Sequence, residues 1–147
     1  ARGFCNAWGE IHANRGATMT MGKTSWIVLL VGVRLPYAVR LSRGPGWLQQ
    51  YTHVEFAGWV LLNVANAVAW GAILIASLLY QRPASLLAPS LLGFGFLAYA
   101  HYGVDLAADA QAGLALLFIP IYALVPITIG AIIGYIADRI SRINGAR

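Results

Sequence analysis

The chain has 147 residues, 59% of them hydrophobic and only 10% charged, with a mean hydropathy of +0.67. Soluble domains carry nearer 25% charged residues, so this composition excludes an ordinary water-soluble domain and fits one small polytopic membrane domain. The net charge of +5 comes from basic residues scattered at segment ends, with no basic stripe interleaved with aromatics to argue for nucleic acid. The single cysteine, Cys5, excludes an intrachain disulfide or a thiolate metal cluster within one chain.

Residues 1–18 are polar, lack hydrophobic periodicity and precede the only methionines, Met19 and Met21, which stand just before Lys23. Residues 1–20 are therefore expected to be a non-native or disordered leader, and residues 21–147 a single transmembrane helical domain. The expected helices are at about 25–41, 56–80, 85–102 and 110–137. The fold class is accordingly all-α, a small polytopic integral membrane bundle of three long spans plus a short first one.

That first helix is the weakest by pattern. Residues 26–33 are apolar, but Arg34, Pro36 and Arg40 interrupt their continuation. An arginine at mid-membrane costs about 2.5–3.5 kcal/mol on insertion scales, which the apolar run can offset if Arg34 snorkels or faces another helix. Gly44-Pro45-Gly46 then breaks the helix, because proline removes a donor and the glycines free the backbone.

Residues 56–81 carry no charge, and Trp47, Tyr51 and Trp59 at one end with Tyr80 at the other resemble an interfacial aromatic belt. After a Gln81-Arg82-Pro83 turn, the third span is rich in small residues, which let helices approach closely. Residues 110–137 form a fourth uncharged stretch, long enough to cross the ~30 Å hydrocarbon core with some tilt. The basic residues orient the bundle. With both termini cytoplasmic, Lys23, Arg82, Arg139, Arg142 and Arg147 lie inside and Arg40 and Arg43 outside, as the positive-inside rule requires at the cell membrane.

Three sets of residues are candidates for packing or function. Gly130 and Gly134 form a GxxxG pattern that places both on one helix face for a close crossing, within the chain or between copies. Pro120 and Pro126 in the same helix remove two donors, which predicts a kink and a candidate hinge. Asn63 and Asn66, three apart on the second span, should face protein, since an amide facing lipid has nothing to bond.

A further set is a polar cluster. His53 and Glu55 lie at one end of the second span, and His101, Asp105 and Asp109 lie between the third and fourth, on the same side of the membrane. Imidazoles and carboxylates together can bind a divalent cation or relay protons. Helix capping and ordinary interfacial polarity explain the same residues without either activity. No catalytic or phosphate-binding motif occurs, so neither an enzyme nor a cofactor is expected.

Because ionisable groups are nearly absent from the spans, an accessory or self-associating membrane protein is expected ahead of a small-solute or ion channel or transporter acting as an oligomer. The expected partners are the lipid bilayer and either further copies of the chain or a larger membrane complex.

Overall fold

The computed structural model describes the backbone of residues 2–53, 55–108 and 111–145 and the side chains of residues 22–53, 55–108 and 111–144. It is all-helical, with no strand among the described residues. Five α-helices follow one another: α1 (Arg2–Ser42), α2 (Pro45–Thr52), α3 (Phe56–Ser77), α4 (Leu87–Gly103, preceded by a 3-10 turn at Pro83–Leu86) and α5 (Ala112–Gly145). Four segments are long and apolar enough to cross a membrane: Gly22–Ser42, Phe56–Ser77, Pro83–Gly103 and Ala112–Asn144.

The boundaries correct the sequence reading in physical ways. The first span runs Gly22–Ser42 and so covers the expected 25–41; α1 continues through buried Pro36 and carries Arg40 inward. The backbone of residues 2–20 is part of α1, and their side chains lie outside the described residues, as do Cys5 and His12. The Gly44 break is real: Gly44 has φ 120°, a left-handed conformation that glycine accepts without strain. Pro45, with its φ already fixed, then starts the short helix α2, which is not among the four helices expected from the sequence. At its far end α5 runs on past Asp138 to Gly145, and it passes Pro120 and Pro126 without interruption.

Large side chains such as Ile75, Leu91, Val125 and Ile132 are exposed around the circumference, while Ala69, Ile73, Leu97, Ala123 and Ile127 form the centre. An apolar exterior of this extent has no counterpart on a monomeric soluble protein and matches contact with lipid. Lipid tails are as apolar as leucine, so burial alone gives these helices little reason to associate. Close contact between small residues and their neighbours must supply it.

Such contacts recur where α1 meets α3 and where α4 meets α5. A methyl group on Gly32 would lie 2.6 Å from Trp70, which seats α1 on α3. One on Gly93 would lie 2.5 Å from Ile127, and one on Gly130 would lie 2.5 Å from the Pro89 backbone, both joining α4 to α5. At Gly134 the obstacle is the Ser85 carbonyl oxygen. The face bearing Gly130 and Gly134 is thus occupied by the start of α4 within the same chain.

One buried carboxylate fixes the turn between α3 and α4 against α5. Asp138, fully buried, accepts hydrogen bonds from the backbone N–H of Arg82 (3.1 Å) and the hydroxyl of Ser85 (3.2 Å), with the Gln81 N–H at 3.5 Å. Arg142, one turn further along α5, pairs with it at 3.3 Å. Tyr80 donates to the Ala131 carbonyl at 3.0 Å beside it. Asp138 therefore satisfies N–H groups that the turn leaves unpaired, and Arg142 balances its charge.

The packing makes a specific prediction. Gly130→Ala should destabilise the bundle by about 1–3 kcal/mol, the usual range for overpacking, because the obstacle is backbone that cannot rotate away. Gly134→Leu should do at least as much. Ile133→Leu, at an exposed neighbouring position, should change stability little. Unfolding by denaturing detergent in mixed micelles measures all three.

Candidate functional site

At the opposite end of the bundle from Asp138, four helices contribute to one network of polar side chains. His101, at the end of α4, is 1% exposed and has both ring nitrogens in use. Its Nδ1 lies 2.6 Å from the hydroxyl of Tyr51 on α2, and its Nε2 lies 3.1 Å from Oδ1 of Asn66 on α3. One arrangement satisfies every atom: neutral imidazole donates from Nε2 to the amide oxygen and accepts the Tyr51 proton at Nδ1. Tyr51 is itself 2% exposed, and burial pushes its phenol above the ordinary tyrosine value, with nearby Arg40 acting in the other direction.

Arg40 is the charged member of the network. It is fully buried, and its Nη1 donates to Oε1 of Gln50 at 2.9 Å. Its Nε and Nη2 have no hydrogen-bond partner among the described residues. What they face instead is aromatic: the guanidinium carbon lies 4.5 Å from the centre of the Tyr51 ring and 5.3 Å from that of Trp47. Ring faces attract a cation electrostatically, more strongly when water is excluded, so these rings take the place of missing acceptors. Tyr37 packs edge-on against Tyr51, with ring centres 6.1 Å apart, and closes this side.

Gln50 carries the charge outward. While its Oε1 accepts from Arg40 and from the Leu106 N–H (3.2 Å), its Nε2 donates to Oδ1 of Asp105 at 2.9 Å. An amide thus stands between cation and carboxylate, bonded to both in the correct sense. Asp105 also accepts from the Ala107 N–H at 3.0 Å. That bond first, and the Gln50 bond second, hold its carboxyl below the usual carboxylate range. Above this layer Arg43 lies 3.5 Å over the Trp47 ring and donates to the Tyr102 carbonyl at 2.6 Å.

The residues expected from the sequence divide. His101 and Asp105 join this network, with Tyr51, Arg40 and Gln50 between them. His53 and Glu55 do not: both are exposed, because α2 ends at Thr52 and turns Tyr51 inward while His53 passes outside. Asp109 lies outside the described residues. Among the described residues no three of His, Cys, Asp or Glu stand together as a metal site, and His53 and Glu55 do not join His101 and Asp105.

The asparagines both face protein. Asn66 holds His101, and Asn63 exchanges hydrogen bonds with Tyr37 at 3.0 and 3.2 Å while donating to the Trp59 carbonyl at 2.8 Å. Pro120 is buried and Pro126 half-buried in an unbroken α5. Sequence reasoning missed Arg40, Gln50 and Tyr37 as members of the network. The available signal was Arg40 lying one turn before the Gly44 break, where the chain doubles back and brings Trp47, Gln50 and Tyr51 onto it.

The chemistry of this end is that of a satisfied structural network. Its groups bond to one another, and the grooves on the surface, such as the one lined by Gly58, Leu61, Leu106 and Leu116, are apolar. Tyr51→Phe should therefore lower stability by about 1–3 kcal/mol, by leaving His101 Nδ1 buried without a donor. Tyr99→Phe, which alters the exposed tyrosine of the other Tyr-x-His pair, should have little effect. Detergent unfolding of the two variants checks the contrast.

No protein-family profile, curated protein or solved structure matches the chain.

Proposed function

We propose that this membrane protein is an accessory subunit of a larger membrane assembly rather than a self-associating protein or a transporter. The observation that supports this reading is where its polar groups point. Asn63, Asn66, His101, Arg40 and Asp138 are all buried or half-buried and bonded within the chain. A route for ions or protons needs ionisable groups facing a water-filled path. The GxxxG face favours the same choice, since Gly130 and Gly134 are covered by α4 of the same chain and are not free to meet another copy.

Native electrophoresis after mild detergent extraction tests the proposal together with reconstitution into liposomes. The expected result is a discrete complex with a different integral membrane protein and no solute flux from the purified chain. Migration of the chain by itself, with flux in liposomes, would reverse the reading.

We further propose that the end holding Asp138 faces the cytoplasm. Arg82, Arg139 and Arg142 gather there, and the polarity of the helices brings Lys23 to the same end, whereas Arg40 is buried at the other. A reporter active only in the periplasm, fused after Arg147, should be silent, and one active only in the cytoplasm should be active.

A further inference from the structure

Arg34 differs from Arg40 and Asp138, and it lies deeper than Lys23 and Arg139, which are also exposed but stand near the ends of their spans. Arg40 and Asp138 are buried and bonded, but Arg34 is exposed on the outer face of α1 and makes no hydrogen bond or ion pair with any described residue. Its surroundings are apolar, a shallow groove formed by Leu30, Val31, Leu35 and Ala38. Ile27, Leu30, Val31 and Leu41 continue the same exposed surface.

Depth makes this position hard to explain by lipid alone. Arg34 stands eight residues before Ser42, where the span ends, which is about 12 Å or two helical turns below that surface. Arginines reach the headgroups readily only near helix ends. Moreover, the Cα–Cβ bond of a helical residue tilts toward the helix N-terminus, and here that direction leads away from the nearer surface.

A carboxylate at the same depth would satisfy the guanidinium, because the two match in charge and in planar, two-pronged geometry. A second copy of this chain has none to offer. Its acidic residues are Glu10, Glu55, Asp105, Asp109 and Asp138. Glu55 precedes α3 at the Tyr51 end, Asp105 is held by Gln50 outside the spans, and Asp138, inside a span, is buried and already paired. Glu10 stands 24 residues before Arg34 on α1, about 36 Å along the helix and so beyond the ~30 Å hydrocarbon core, and Asp109 precedes the Ala112–Asn144 segment.

We infer that the outer face of α1 around Arg34 docks a transmembrane helix of a different protein, one that carries an aspartate or glutamate facing Arg34 within the bilayer. The inference rests on the accessory-subunit reading and supplies the chemistry of its partner. Ala38, one turn above Arg34, provides the small residue that lets the two backbones approach.

Native electrophoresis of the full-length wild type, Arg34→Leu and Arg34→Lys from cells tests it, joined to photo-crosslinking from a reactive residue in place of Ala38. Arg34→Leu should reduce the complex at least about tenfold, since truncating one member of a desolvated charge pair leaves the other unpaired. Arg34→Lys, which keeps the charge but loses the two-pronged geometry, should lose less of it than Arg34→Leu. The melting temperature of purified Arg34→Leu should equal or exceed that of the wild type, which separates loss of partner from loss of fold. The crosslinked helix should contain a carboxylate, and reversing it to lysine should restore the complex with Arg34→Glu. A wild-type complex that survives Arg34→Leu undiminished would overturn the inference while leaving the accessory reading in place, and would assign Arg34 to lipid phosphate. Absence of any wild-type complex would overturn both.

Discussion

A polar atom inside the hydrocarbon layer has no water to bond, so each one must find its partner in the protein or face outward at a cost. The bundle is organised by that constraint at both ends. Arg40 draws α2 back over the end of α1, because only the folded-back segment brings Gln50, Tyr51 and Trp47 around the guanidinium. Tyr51, once placed there, reaches His101 and through it Asn66, so four helices are tied by hydrogen bonds that start from one buried cation. At the other end Asp138 does the equivalent with a single carboxylate, collecting the turn between α3 and α4.

Between these ends the middle of the bundle is held by shape. Glycines at 32, 93, 130 and 134 each admit a neighbouring atom where a side chain would collide. Such contacts give dispersion energy that lipid cannot match, because lipid tails do not fit so closely against a helix. The two mechanisms meet at Gly134, whose face is filled by Tyr80 and by Ser85, the same serine that bonds Asp138.

Much of this was legible in the sequence because bilayer thickness restricts what an uncharged run of some twenty residues can be. Three helices are evident from the lack of charge alone, and the inward orientation of Asn63 and Asn66 follows from what an amide requires. The first span is the least legible for a specific reason. Arg34 and Arg40 look alike as charges in an apolar run, yet one is exposed and the other buried, and the difference depends on Trp47, Gln50 and Tyr51 being folded back by Gly44 and Pro45. The polar cluster was half legible. His101 and Asp105 belong to it, but the choice between Tyr51 and His53 depends on where α2 ends, and element boundaries are the least determined feature of a single sequence.

The contrast between Arg34 and Arg40 also bears on function. Arg40 shows that this fold can internalise a guanidinium by surrounding it with two aromatic rings and an amide, seven to eleven residues away along the chain. Nothing comparable is built around Arg34, although Gly32 and Pro36 on the same helix face inward. An exposed arginine two turns deep raises the energy of the isolated bundle in lipid, and replacing it with leucine would remove that cost without disturbing any internal bond. Its presence is therefore poorly accounted for by folding, and it is well accounted for by contact with a complementary group outside the chain.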